Sequence, residues 1–145
     1  MLTTQERKIS EIVGQGYDDF WNSKKRYRIL KGGKASKKSA TTALNFIFRI
    51  MKIKDSNLLV VRQIMNTHRD STFAQLQWAQ GILGVSHLWK NTVSPLEMTY
   101  LPTNQKILFV HSSCFPLYFL LYIFSAVVSK ITFFALIRTT FFLQC

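Results

Sequence analysis

The chain has 145 residues, enough for one core-forming domain and too few for two of ordinary size. Its 19 Lys and Arg against 7 Asp and Glu leave a formal charge of +12, so a polyanion is the expected partner: a nucleotide, a nucleic acid or an anionic membrane surface. The two cysteines, Cys114 and Cys145, have neither metal nor redox spacing, which argues against a disulfide framework and for a reducing compartment.

The N-terminal run MLTTQERKISEIVGQG has no apolar stretch behind its charges and predicts no secretory signal. Residues Arg26 to Leu30 (RYRIL) form a short β-prone run that ends at Gly32-Gly33. From Ser39 the apolar residues Ala43, Leu44, Ile47, Ile50 and Met51 share one face at helical spacing, and Asp55 to Asn57 end that helix. The continuous apolar run Leu58 to Val61 suits a strand buried on both faces of a parallel sheet. A second helix is expected with Thr67, Asp70 or Ser71 as its cap, an apolar stripe of Phe73, Leu76, Ala79 and Leu83, and an end at Gly84. Leu96, Met98 and Tyr100 then alternate, Pro102 to Asn104 turn, and Lys106 to Phe109 return as a hairpin. The order predicts an α/β sheet with a right-handed crossover joining the first two strands.

The segment Lys31 to Leu44, KGGKASKKSATTAL, therefore falls between a strand and the N-terminus of a helix. Aligned on G-x-x-x-x-G-K-[ST], it gives Gly32, four residues, Lys37 in place of glycine, then Lys38 and Ser39. Glycines let the backbone turn its N–H groups toward phosphate oxygens, and a helix N-terminus adds partial positive charge. Lys38 would set its ammonium on the β- and γ-phosphates, and the Ser39 hydroxyl would join the Mg²⁺ shell. Lys37 is tolerable only where the local φ/ψ is one that a non-glycine residue adopts. The alternative is a lysine-rich surface turn.

The segments RYRILKGGKASKKSATTALNFIFR and LLVVRQIMNTHRDSTFAQLQWAQ resemble the N-terminal ATPase region of the phage terminase large subunit of the PBSX-like type, over residues 17–109. That family carries a loop of the form G-G-R-G-S-x-K-S, followed here by Gly32, Gly33, Lys34, Ala35, Ser36, Lys37, Lys38 and Ser39. Lys34 stands for the arginine and Ala35 for the third glycine; lysine before the key lysine is tolerated in this group. The resemblance implies an ATP-driven motor that threads double-stranded DNA into a viral prohead, working with a small terminase subunit and a portal in the bacterial cytoplasm. It assigns the eight loop residues to ATP and Ser39 to Mg²⁺. A lysine at position 34 offers charge without a planar bidentate fork, so no catalytic role is assigned to it.

An ATPase of this kind also needs an acidic residue at the end of a later apolar strand and a group that positions water. Glu97 is the only acid beyond Asp70, and its alternating neighbours place it on the solvent side of a hairpin. Asp18-Asp19 reads as a solvated turn beside aromatic residues, and the family's nuclease domain has no counterpart. The expectation is a chain that binds nucleotide and hydrolyses it poorly.

Beyond residue 109 the sequence changes character: all seven acids and all six glycines precede it, while residues 110–145 hold seven of the twelve phenylalanines. Residues 114–137 contain one lysine and are long enough to span a bilayer, with basic residues holding the preceding part in the cytoplasm. Alternatively this tail is out-of-frame translation, because the codons of Phe, Leu, Ile and Val share U at the second position.

The basic cluster Lys24, Lys25, Arg26, Arg28, Lys31, Lys34, Lys37, Lys38 includes only Tyr27 as an aromatic, so no base-stacking platform is expected. His68, His87 and His111 lack ligand spacing and read as surface or loop residues, whereas Trp78, Trp89, Phe46 and Phe48 read as core. The expected organisation is a lead-in (1–25), a partial P-loop NTPase α/β domain with a parallel sheet core and a β-hairpin (26–109), and an apolar helical tail (110–145). The competing expectation is a small basic membrane-associated protein that binds anionic lipid or nucleic acid.

Overall fold

The computed structural model describes residues 9–13, 16–25, 28–33, 35–62, 68–111, 131–138 and 141–144. Two short helices lead in, α1 (Ile9–Val13) and α2 (Asp18–Asn22), followed by strand β1 (Arg28–Ile29). Helix α3 (Lys38–Lys52) and strand β2 (Asn57–Arg62) come next. A π-helical turn (His68–Phe73) then opens directly into α4 (Ala74–Ile82). After a 3₁₀ turn at Ser86–Leu88 come β3 (Trp89–Val93), β4 (Leu96–Tyr100) and β5 (Gln105–His111), and finally β6 (Ile131–Arg138) and β7 (Phe141–Gln144).

The strands form one mixed sheet in the order β1-β7-β6-β2-β5-β4-β3. Strand β2 pairs in parallel with β5 on one side and β6 on the other. Its four apolar residues, Leu58 to Val61, are all buried, as expected of a strand covered on both faces. Strands β3, β4 and β5 make an antiparallel meander, so the expected hairpin is present and one strand longer than the sequence suggested. Lys90, Asn91 and Thr92 hid that strand, because their alternation of apolar and polar residues is weak.

The α/β class stands, with one refinement and one correction to its detail. The first two strands run parallel and are joined through α3, as a crossover requires, but they are not neighbours: β7 and β6 lie between β1 and β2. The described part of the tail is strand, not helix. Residues 131–138 supply β-branched and aromatic residues to the ladder of β2, whose second edge would otherwise leave its backbone N–H and C=O groups unpaired. Among the described residues no helix is long and apolar enough to cross a membrane. Residues 112–130, which hold most of the candidate span, lie outside the described residues.

One core joins the helices to the sheet. Leu44, Ile47 and Ile50 of α3 are fully buried against Leu58 and Val60 of β2, Leu76 and Ala79 of α4, and Met98, Ile107 and Phe109 of the meander. Their i, i+3, i+6 spacing is the apolar stripe read from the sequence. Trp89 and Phe46 join this core, but Phe48 and Trp78 do not: they are 42% and 38% exposed. Phe48 falls outside the stripe and instead meets the Trp21 ring edge-on at 6.2 Å.

Helix α4 ends as expected at Gly84, whose φ of +68° is one that glycine adopts without a Cβ clash. Val85 N–H donates to Gln80 C=O at 3.0 Å and Gly84 N–H to Gly81 C=O at 3.0 Å, the paired bonds of a Schellman end. A polar tie absent from the sequence reading fixes the α3–β2 connection. The Gln105 amide donates to Ile53 C=O at 2.7 Å, Ser56 C=O at 2.8 Å and Ser56 Oγ at 2.7 Å, binding β5 to the turn before β2.

Candidate functional site

The loop between β1 and α3 is organised around one cation. Lys38, the first residue of α3, turns its ammonium back and donates to Gly32 C=O, Gly33 C=O and Ser36 Oγ, each at 2.7 Å. Ser36 Oγ in turn donates to Gly33 C=O at 2.9 Å. Gly32 faces this centre: a Cβ there would lie 3.2 Å from Ser36 Oγ and 3.6 Å from the Lys38 ammonium. Gly33 has open space around it, so the two glycines are not equivalent.

The positions that depart from glycine carry the left-handed backbone. Ala35 has φ +66° and Lys37 has φ +57°. Both take the region that non-glycine L-residues enter at a cost of roughly 1–2 kcal/mol each. Lys37 thus occupies the left-handed region, which a non-glycine residue can adopt at that cost. Its side chain finds partial compensation by donating to Ile12 C=O of α1 at 3.2 Å. The Tyr17 hydroxyl donates to Ser36 C=O, so the lead-in segment holds the loop at two points. Lys34 lies outside the described residues.

Lys37 stands at the N-cap of α3 without a side-chain cap bond, and no acidic residue occurs in the first turn. The amides of that turn and the Lys38 ammonium together give the helix N-terminus uncompensated positive potential. Ser39 is exposed at the same end. It forms part of the rim of a cavity between α3 and the π-helical turn, opposite Ser71, Thr72 and Gln75.

The expected cap residues of the second helix have a different role. Asp70 and Ser71 lie inside the π-helical turn, and Thr67 is outside the described residues. The turn is organised by His68, which is 0% exposed, a correction to its reading as a surface or loop residue. Its Nε2 lies 2.9 Å from Val110 C=O and its Nδ1 2.9 Å from Thr72 Oγ1. With the proton on Nε2, that nitrogen donates to the carbonyl and Nδ1 accepts from the threonine. Thr72 Oγ1 also lies 3.2 Å from His68 C=O, although its one proton serves Nδ1 in this arrangement. The ring packs edge-on against Phe109 at 5.7 Å.

The other candidates separate. Lys24, Lys25 and Lys31 are exposed. Arg28 is buried, donating to Phe20 C=O at 2.6 Å with its guanidinium 5.4 Å from the Phe20 ring, so it anchors α2 and leaves the basic cluster divided. Burial lowers the Arg28 pKa, and burial followed by repulsion from Arg28 lowers that of Arg49. His87 is exposed as expected, and the side chain of His111 lies outside the described set. Asp18 and Asp19 are exposed in α2, and Glu97 pairs with Lys106 across the meander at 3.4 Å, a surface contact of little energetic weight. Among the described residues no group of three His, Cys, Asp or Glu side chains is placed to hold a metal. The parallel strands β2, β5 and β6 end in Arg62, His111 and Arg138.

A strand, a lysine-centred loop and a helix on a mixed α/β sheet are joined here to a family match. The model of the phage terminase large subunit matches residues 24–113, and the chain belongs to that family. The terminase large subunit of Bacillus phage SPP1 is 36% identical over 106 residues, covering 70% of this chain and 25% of that protein. The PBSX phage terminase large subunit of Bacillus subtilis (strain 168) is 36% identical over 92 residues, 63% of this chain and 21% of that protein. The chain thus spans about a quarter of the length of these curated relatives. No solved structure gives a significant match.

Proposed function

We propose that this chain is the nucleotide-binding N-terminal portion of a terminase large subunit, with a P-loop NTPase-type site at Gly32 to Ser39. In the bacterial cytoplasm it would serve the ATP-driven packaging of double-stranded DNA, with a small terminase subunit and a portal as partners. The Lys38 ammonium, held at the centre of the loop by three oxygens at 2.7 Å, carries this reading.

The residues present suit a triphosphate. On binding, Lys38 exchanges loop carbonyls for the more strongly accepting phosphate oxygens, while first-turn amides of α3 donate to the same anion. Gly32 keeps the space beside the ammonium clear of a side chain. Ser39 offers one neutral oxygen to Mg²⁺, whose remaining ligands would be phosphate oxygens and water. Bound Mg²⁺ would neutralise charge on the phosphates.

Hydrolysis asks for more. The ends of β2 and β6 present arginine where a metal-holding carboxylate would be needed, so this chain alone binds ATP and turns it over slowly.

Titration of the full chain with a fluorescent ATP analogue and Mg²⁺ tests the reading. Saturable binding should weaken at least about tenfold in Lys38→Ala, the loss of roughly one charge-assisted bond. Equal affinity in the two proteins, or no binding by the folded parent, would reject the loop as the site.

A further inference from the structure

The cavity beside Ser39 has two walls. Ser39, Thr42 and Phe46 line it from α3, and Ser71, Thr72 and Gln75 line it from the π-helical turn and the start of α4. Its volume is about 80 Å³, enough to admit a few water molecules. Among the described residues no charged side chain lines it, although Asp70 lines the adjoining cleft with Ser71 and Gln75.

Two observations give this cavity a ligand-facing character. Thr42 is 2% exposed, yet its Oγ1 has no hydrogen-bond partner among the described residues. A buried hydroxyl left unpaired costs about 1–3 kcal/mol, a cost removed by water or a ligand in the cavity that Thr42 lines. The facing wall is also fixed from behind. His68 clamps the turn to the end of β5 through Val110 C=O and occupies the Thr72 hydroxyl, leaving Ser71 and Gln75 as that wall's polar groups. π-Helical turns recur at functional sites because the extra residue redirects side chains.

Taking the loop as the phosphate site, we infer that Ser71 and Gln75 form its triphosphate-sensing wall. Through water ordered in the cavity by Thr42, they hydrogen-bond the terminal phosphate next to Ser39, and so distinguish ATP from ADP. Ser71 offers a donor and an acceptor, and the Gln75 amide offers both, as needed to bridge water to a phosphate oxygen. His68 ties this wall to β5, the strand beside β2 in the sheet.

The test compares fluorescent ATP and ADP analogues, both with Mg²⁺, on the full chain and on Ser71→Ala/Gln75→Ala. The parent should prefer ATP, and the double variant should lose about fivefold or more of that preference while keeping its ADP affinity. Thr42→Val, which removes the hydroxyl and keeps the volume, should reduce the preference in the same direction and serves if the double variant does not fold by circular dichroism. An unchanged ATP-to-ADP ratio in the folded variants, or equal loss of both nucleotides, would overturn the sensing wall alone. A parent that binds neither nucleotide would overturn the loop reading and this inference together.

Discussion

Lys37 shows how one residue can fit its family's motif and still strain its backbone. The general loop pattern asks for glycine at this position, and the observed φ of +57° supplies the reason. The sequence exposed the departure but gave no sign of the conformation, because φ is set by the geometry that brings Lys38 back onto Gly32 and Gly33. Lys37→Gly relieves the left-handed cost and forfeits some unfolded-state entropy, for a net gain of up to about 1 kcal/mol. A urea midpoint shifted upward at unchanged slope would show it; a clear downward shift would mean that the bond to Ile12 outweighs the strain. His68 teaches the complementary lesson. Nothing in N-T-H-R-D-S-T-F marks it as buried, since its burial depends on Val110, 42 positions later in the chain.

At the scale of elements, α3 was the most legible part of the chain. Its stripe of Leu44, Ile47 and Ile50 reports the face that meets the sheet, and all three are 0% exposed. Ile47→Ala should cost about 2–5 kcal/mol in urea unfolding, because the tightly packed site around it cannot collapse to fill the gap. A change below 1 kcal/mol would indicate that the α3–sheet core is loosely packed. The cavity wall on α3 was legible only in part. Ser39, Thr42, Ala43 and Phe46 follow helical spacing, but the sequence does not say what faces them. The opposite wall depends on a π-helical turn, which shifts Ser71 and Gln75 away from positions that α-helical counting would assign.

For the whole molecule, the consequential feature is the place of β6 and β7. Strand β2 has a parallel neighbour on each side, and one of them comes from residues 131–138. Strand β1, which leads into the loop, pairs with β7. A chain ending at His111 would thus leave β2 with an open edge and remove the pairing of β1, and open apolar edges associate. Size-exclusion chromatography should show that shortened chain as oligomer or aggregate; a stable monomer with an unchanged melting curve would mean the final strands contribute little to the fold. The same placement explains why nucleotide measurements belong on the full chain.

By itself the sequence determined the α/β class, the buried strand Leu58–Val61, the stripe of α3, the end of α4 and the relation to terminase large subunits. Each of these rests on local periodicity, on glycine and turn chemistry, or on residues matched in order. Tertiary structure alone decided that β1 stands apart from β2, that the tail's described part is strand, that Lys38 gathers the loop around its ammonium, and that Ser39 faces Ser71 and Gln75 across one cavity. Those features depend on which distant backbone and side-chain groups satisfy one another's hydrogen bonds, and composition and spacing along the chain carry no record of that pairing.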